Sequence, residues 1–288
     1  MKLTGAARIA GIMGWPVAQA FSPRLHGFWL EEYGIDGALV PLAVKPENFT
    51  IAVRGIMAAG FKGSSVTIPH KEAAFALCHD CDSAAKAAGA VNLLIFHENG
   101  RIEGRNTDAT GLAASLREEL GSGCVTGKTT LVLGAGGAAR AAVWALDDLG
   151  AAEIRILNRS RGRADQLAAA LSSQLPSKLV VYDMVDWPKA AQNVALVVHT
   201  TSAGMKGAPS LDIDLTVLPH DAALCDIVYN PLETSLVARA RARGLRTVDG
   251  LGMLMHQGVP AFEAFFGVRP NVTPALRADL EQALSGGK

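Results

Sequence analysis

The chain has 288 residues, a length at which two domains, or one large one, is the ordinary arrangement. Lys plus Arg and Asp plus Glu both number 27, so no net field draws the chain to nucleic acid or to an anionic membrane. The opening MKLTGAARIAGIMGWP has no signal-type apolar core, and nowhere do about 18 apolar residues run together, so a cytoplasmic protein without a membrane span is expected. The four cysteines, Cys78, Cys81, Cys124 and Cys225, are too scattered for a disulfide framework, and the C-x-x-C at Cys78–Cys81 lacks a second ligand pair for zinc. Reduced structural thiols and no metal are expected.

Along residues 1 to about 108, the short β-type runs ARIAGIMG, ALVPLAV, FKGSSVTI and AVNLLIF alternate with helical stretches such as PRLHGFWLEEYG and PENFTIAVRGIMAAG. That alternation predicts an α/β unit with a mainly parallel sheet. GRNTDATG, residues 104 to 111, interrupts the periodicity and is the candidate hinge, at which a cleft is expected. From residue 128 the pattern restarts with KTTLVLGAGGAARAAVWALDDLG, EIRILNRS, KLVVYD, ALVVHTTSAGM and AALCDIVYNP, a second α/β unit. MLMHQGVPAFEAFFG and TPALRADLEQALSG read as two final helices expected to pack on the first domain, the second opened by Thr273 as N-cap before Pro274.

The second unit carries a nucleotide-binding pattern. Leu131-Val132-Leu133 reads as a buried strand, and Gly134-Ala135-Gly136-Gly137-Ala138-Ala139 follows at once and leads into a helix. The first glycine suits a tight turn, Gly136 lets backbone approach a pyrophosphate, and Ala139 permits close helix packing, while the helix start offers N–H groups to the anion. After the next strand, at the position where NAD enzymes carry an acid for the ribose 2′-hydroxyl, the chain has Asn158-Arg159-Ser160-Arg161-Gly162-Arg163. Arg159 and Arg163 suit a 2′-phosphate, and Asn158 and Ser160 can add hydrogen bonds, so NADP is expected over NAD. A solvated basic helix start is the alternative for this segment.

In the first unit, Ser65-Val66-Thr67-Ile68-Pro69-His70-Lys71, and Gly89 to Asn92 with Gly104 to Asp108, each set small polar groups and a charge at a strand end. Ketone reduction needs a proton donor beside the carbonyl, and a Lys near an Asp can supply it. Lys71 and Asp108 are the candidate pair, expected to meet across the interdomain cleft. On pattern alone Lys71 reads equally as a surface lysine at a helix start and Asp108 as an N-cap. Ser22 before Pro23 reads equally as a cap, and Gln257 as an ordinary polar helix residue.

These segments resemble the shikimate dehydrogenase family over nearly the whole chain: FSPRLH, VTIPHK, GAVN, GRNTDATG, GAGGAAR, NRS, TSAGM, DIVYNPLETSL and GLGMLMHQG, in order. The resemblance implies an N-terminal α/β substrate domain (1–107) completed by C-terminal helices (250–288), with a Rossmann-type domain (108–249) between. It implies Lys71 and Asp108 as the catalytic pair, and Ser22, Thr67, Asn92, Asp108 and Gln257, with Tyr229 close by, around a small ring hydroxy acid. Around NADP it implies Gly134, Ala135, Gly136, Gly137, Ala138, Asn158, Arg159, Ser160, Arg163, Thr201, Ser202, Ile227, Gly250 and Met253. The implied reaction is the interconversion of 3-dehydroshikimate and shikimate, serving aromatic biosynthesis, in a monomer or homodimer.

The chain departs from the family's usual pattern beside the ligands. Ala20 stands where a carboxylate-binding Ser is usual, which removes one donor, and Ser65 is the candidate to replace it. Ser65 itself stands in place of Asn, Leu93 in place of Thr, and His199 and Asp249 each in place of Asn. A paralogue acting on quinate or an amino-substituted shikimate, with NAD possible, is therefore a second expectation. A non-catalytic NADP-binding sensor is a third, disfavoured by the presence of both Lys71 and Asp108.

Overall fold

The computed structural model describes residues 3–286. Its elements in chain order are β1 (Arg8–Gly14), α1 (Ser22–Glu32), β2 (Gly37–Ala43), α2 (Phe49–Ala58), β3 (Gly63–Val66), α3 (Lys71–Leu77), β4 (Asp80–Cys81), α4 (Ser83–Ala88), β5 (Leu93–Phe96), β6 (Ile102–Arg105) and α5 (Asp108–Leu120). Then come β7 (Thr129–Leu133), α6 (Gly137–Asp148), β8 (Glu153–Leu157), α7 (Arg161–Leu171), β9 (Lys178–Tyr182), α8 (Trp187–Ala190), β10 (Val194–His199), β11 (Ala223–Asp226), α9 (Ser235–Ala242), β12 (Arg246–Val248), α10 (Gly250–Phe266) and α11 (Pro274–Ser285). The chain divides into two compact units, one running to Thr107 and including Gln257–Ala283, the other Asp108–His256 with the described residues from Leu284. The α/β class with a Rossmann-type domain and a tail returning to the first unit agrees with the sequence reading. The return falls at Gln257, inside α10, whereas the family resemblance implies residue 250.

The first unit contains a sheet of order β2-β1-β3-β5-β6-β4. The sheet is mainly parallel, as expected, with β4 parallel to β6 and a single strand reversed. β1 runs parallel to β2 and β3, but β5 is antiparallel to both β3 and β6. The cause is local. β5 and β6 are joined by the five residues His97–Arg101, in which Gly100 has φ of +80°, so the chain reverses instead of making a helical crossover. Met13, Val66, Val91 and Leu94 from β1, β3, β5 and the loop before it meet Phe49 and Val53 of α2 in the core beneath. The C-terminal segment is fastened here as well: Trp29 Nε1 donates to the Asn271 carbonyl at 2.9 Å, and Arg24 bonds Asp279 at 2.7 Å. Thr273 Oγ1 accepts from the Leu276 N–H at 3.2 Å, the cap expected for α11.

In the second unit the sheet order is β12-β11-β10-β7-β8-β9, all parallel, with helices on both faces. Ala142, Val143 and Leu146 of α6 pack with α5 and α7 on one face, and Trp187, Leu236 and Val237 with α8 and α9 on the other. Starting from β7, the chain first winds outward through β8 and β9 and then returns to the far side through β10, β11 and β12. Between β7 and β10 the winding reverses, and in such sheets the crevice outside those strand ends is where ligands bind. No helix among the described residues is long and apolar enough to cross a membrane.

Candidate active site

In the second unit the reversal point is built by two turns. β7 ends at Leu133, and Gly134, at φ of +126°, turns the chain while its N–H donates to the Leu157 carbonyl at 2.8 Å. A Cβ at Gly134 would collide with Thr200 Oγ1, so here glycine is required twice, by conformation and by space. Across from it, Thr200 at the end of β10 gives both its N–H (2.9 Å) and its hydroxyl (2.7 Å) to the Leu133 carbonyl. Gly136 then stands as the N-cap of α6 with no side-chain cap, and space is open around Gly136 and Gly137. The first-turn N–H groups of α6 thus face an approach a phosphate can use. Ala135 and Ala138 are half-buried, and Ala139 is fully buried against the core.

At the end of β8, Asn158 Nδ2 donates to the Ser160 carbonyl at 2.9 Å, shaping the loop before α7. Arg159 and Arg163 are exposed and hold no ion pair among the described residues, whereas Arg161, between them, is bound to Asp183 at 2.7 Å. Two exposed guanidiniums therefore flank the end of β8, and the stretch 158–163 itself contains no acidic residue. Thr201 and Ser202 follow β10, Ile227 follows β11, and Gly250 opens α10 so close to the Ile227 carbonyl that a side chain there would clash. Met253 is buried one turn on, in the core beside α5 and α6, and Tyr229 is half-buried after β11. A cradle of uncapped amides flanked by arginines outside any ion pair fits a phosphorylated dinucleotide.

The first unit holds most of the substrate candidates, whereas Asp108 and Tyr229 belong to the second. Ser65 and Thr67 lie on and just past β3, both half-buried, and the Thr67 N–H donates to the Met13 carbonyl at 2.9 Å. Lys71 opens α3, half-buried, and its carbonyl accepts from the Val91 N–H at 2.9 Å. Gly89 ends α4 in the left-handed conformation at φ of +58°, which sets the following Ala90-Val91-Asn92 into the sheet. Asn92 is buried. Its Nδ2 donates to Thr107 Oγ1 at 3.1 Å, and its Oδ1 accepts from the Thr107 N–H at 2.9 Å. Thr107 Oγ1 in turn donates to the Gln257 carbonyl at 3.0 Å, tying the start of the returning tail to the same spot. Asp108 comes next in the chain, buried, as the first residue of α5. Sequence reasoning missed Thr107, although its place between Asn106 and Asp108 in the hinge was a usable signal.

Ser22 departs from its alternative reading as a cap. The cap position of α1 belongs to Phe21, no side chain caps that helix, and Ser22 is already its first residue. A hydroxyl not engaged in capping is the chemistry a carboxylate ligand would use. Ala20, just before, is half-buried and its N–H donates to the Val17 carbonyl at 2.9 Å, so that turn forms without a serine.

The two units thus define a class: a nucleotide-dependent oxidoreductase scaffold whose Rossmann-type domain is joined to a substrate-type α/β domain. Family models match the chain over residues 12–94 (shikimate dehydrogenase substrate binding domain), 116–207 (shikimate / quinate 5-dehydrogenase) and 250–278 (shikimate 5'-dehydrogenase C-terminal domain). The chain belongs to the shikimate dehydrogenase family. It is 51% identical over 279 residues to the shikimate dehydrogenase (NADP(+)) of Paramagnetospirillum magneticum, covering 96% of this chain and 99% of that one. Among solved structures it resembles shikimate 5-dehydrogenase from Listeria monocytogenes in complex with shikimate and NAD, at 26% identity and TM-score 0.88, over 98% of both chains. It also resembles shikimate 5-dehydrogenase from Thermus thermophilus in complex with NADP(H) and shikimate, at 32% identity and TM-score 0.83, over 97% and 99% of the chains.

Proposed function

We propose that this chain interconverts 3-dehydroshikimate and shikimate with NADP, using Lys71 and Asp108 as its proton-transfer pair. The observation that carries the reading is the Asn92–Thr107–Gln257 hydrogen-bond cluster, which draws three separate stretches together immediately before Asp108. The high identity to a relative named for this activity supports it. The dinucleotide, when bound, supplies or accepts the hydride. In the reductive direction a C–H bond forms at the ring carbon, the carbonyl π pair moves onto oxygen, and that oxygen takes a proton from the Lys71 ammonium. Lys71 stabilises the developing negative charge and donates the proton, and Asp108 orients the ammonium and accepts a hydrogen bond from the substrate hydroxyl. Ser22, Ser65, Thr67, Asn92, Tyr229 and Gln257 hold the hydroxy acid. Gly134 to Ala138, Asn158, Arg159, Ser160, Arg163, Thr201, Ser202, Ile227, Gly250 and Met253 hold the dinucleotide.

Ala20 favours one second reading, a ring acid gripped differently at its carboxylate, such as quinate or an amino-substituted shikimate. A steady-state screen of shikimate, quinate and amino analogues against NADP and NAD decides between them. The highest kcat/KM is expected for shikimate with NADP; a higher value for quinate would transfer the assignment to that acid, and no turnover with any pair would remove it.

A further inference from the structure

At the ends of β10 and β11 the second unit buries an imidazole and a carboxylate that none of the roles above employs. His199 and Asp226 are register partners on the two parallel strands, and both are fully buried. His199 Nδ1 lies 2.9 Å from Asp226 Oδ1, and His199 Nε2 lies 2.6 Å from Thr201 Oγ1. Asp226 Oδ1 also accepts from the Val228 N–H at 3.1 Å, and Oδ2 accepts from the Thr234 hydroxyl at 2.6 Å. Thr234 Oγ1 accepts from the Val237 N–H, capping α9, and Thr201 Oγ1 accepts from the Ala203 N–H at 3.2 Å.

One assignment of protons matches every donor to an acceptor. An ionised Asp226 can only accept, so Nδ1–H of His199 donates to it. With that tautomer Nε2 is an acceptor, and the Thr201 hydroxyl donates to it. Thr201 Oγ1 keeps its lone pairs for the Ala203 N–H, which closes the turn after β10. The chain of bonds therefore runs from a helix cap in the core outward to Thr201, and the preceding residue, Thr200, places its hydroxyl where a side chain at position 134 would have to go.

We infer that the buried His199–Asp226 pair is a positioning element for dinucleotide binding: it fixes the Thr201–Ser202 turn and keeps the Thr201 hydroxyl hydrogen directed into the protein. Thr201 then meets the ligand only as an acceptor. This rests on the reading of Thr201 as a cofactor-binding residue. A pair retained only to satisfy the core would instead affect stability alone, and the two roles separate because His199 has two partners at different reach.

The test uses His199→Asn, His199→Leu, Thr201→Val and the double variant His199→Asn/Thr201→Val in the full chain. Asn can still donate to Asp226 from near the Nδ1 position but is too short for Thr201; Leu loses both contacts. NADP⁺ dissociation constants, KM for shikimate, and Tm are measured for each. His199→Asn and Thr201→Val are each expected to weaken NADP⁺ about five- to tenfold, the scale of one neutral hydrogen bond. KM for shikimate should stay within about twofold, and the double variant should be no weaker than either single one. Tm should fall much further for His199→Leu than for His199→Asn. If Thr201→Val binds NADP⁺ as wild type does, the cofactor reading of this turn fails. If Thr201→Val weakens binding but His199→Asn does not, or if the two effects add, the cofactor reading stands and the positioning role is overturned.

Discussion

Two exposed arginines bear most directly on the choice of cofactor. Arg159 and Arg163 stand exposed at the end of β8 outside any ion pair among the described residues, while their neighbour Arg161 is paired with Asp183, so on the proposed reading their charge is available to a 2′-phosphate. An arginine–phosphate contact is strong because the planar guanidinium matches two phosphate oxygens at once. Arg159→Ala is accordingly expected to raise KM for NADP about tenfold or more while that for NAD moves less than about twofold, read from steady-state kinetics with both cofactors. An enzyme that already prefers NAD would contradict this. At the same scale, Ser22 and Lys71 were ambiguous in the sequence because a serine or lysine at a helix start has an ordinary explanation. For Ser22 the structure removes that explanation, since no side chain caps α1.

Among the elements, α1 and α10 share a buried aromatic nest that includes an imidazole. His26 is fully buried, with ring centroids 5.8 Å from Trp29 and 5.7 Å from Phe262, and burial pushes its pKa down to about 3. Its folded-state value therefore lies below the ordinary unfolded value of about 6.5. Above pH 6.5 both states are neutral and nothing changes. Below it the unfolded chain binds a proton that the native state refuses, so stability falls with pH from about 6.5 down to about 3, at up to about 1.4 kcal/mol per pH unit. Denaturant unfolding at pH 7 and pH 5 should show wild type losing about 2 kcal/mol more than His26→Leu across that interval. Equal losses would mean that His26 is charged in the native state. Elements also show where the sequence was least legible. The β7–Gly134–α6 unit was readable because strand, glycine turn and helix each carry a local signature. The antiparallel β5 was not, because four apolar residues, Leu93–Phe96, have no direction until a partner is known. The same holds for Thr107 and for the His199–Asp226 pair, whose meaning depends on which strand ends become neighbours.

For the whole molecule, the parallel sheet with its reversal between β7 and β10, the cluster around Asn92 and Thr107, and the family match point to one activity, NADP-linked oxidoreduction of a ring hydroxy acid. The candidates divide unevenly between the compact units: Ser22, Ser65, Thr67, Lys71, Asn92 and Gln257 lie in the first, and Asp108 and Tyr229 lie with the nucleotide candidates in the second. Within α10, Pro260 has no N–H to give the carbonyl of His256, so that helix lacks one backbone bond just where it passes from one unit to the other. On the proposed reading, Lys71 moves the proton. That step is tested most directly by the turnover of Lys71→Ala on shikimate and NADP⁺, measured beside the NADP⁺ dissociation constant. Loss of the general acid–base group should cut kcat by about 100- to 10,000-fold while NADP⁺ binds within about twofold of wild type. A Lys71→Ala enzyme turning over near the wild-type rate would rule out proton transfer by Lys71 and leave it as a lysine that merely opens a helix.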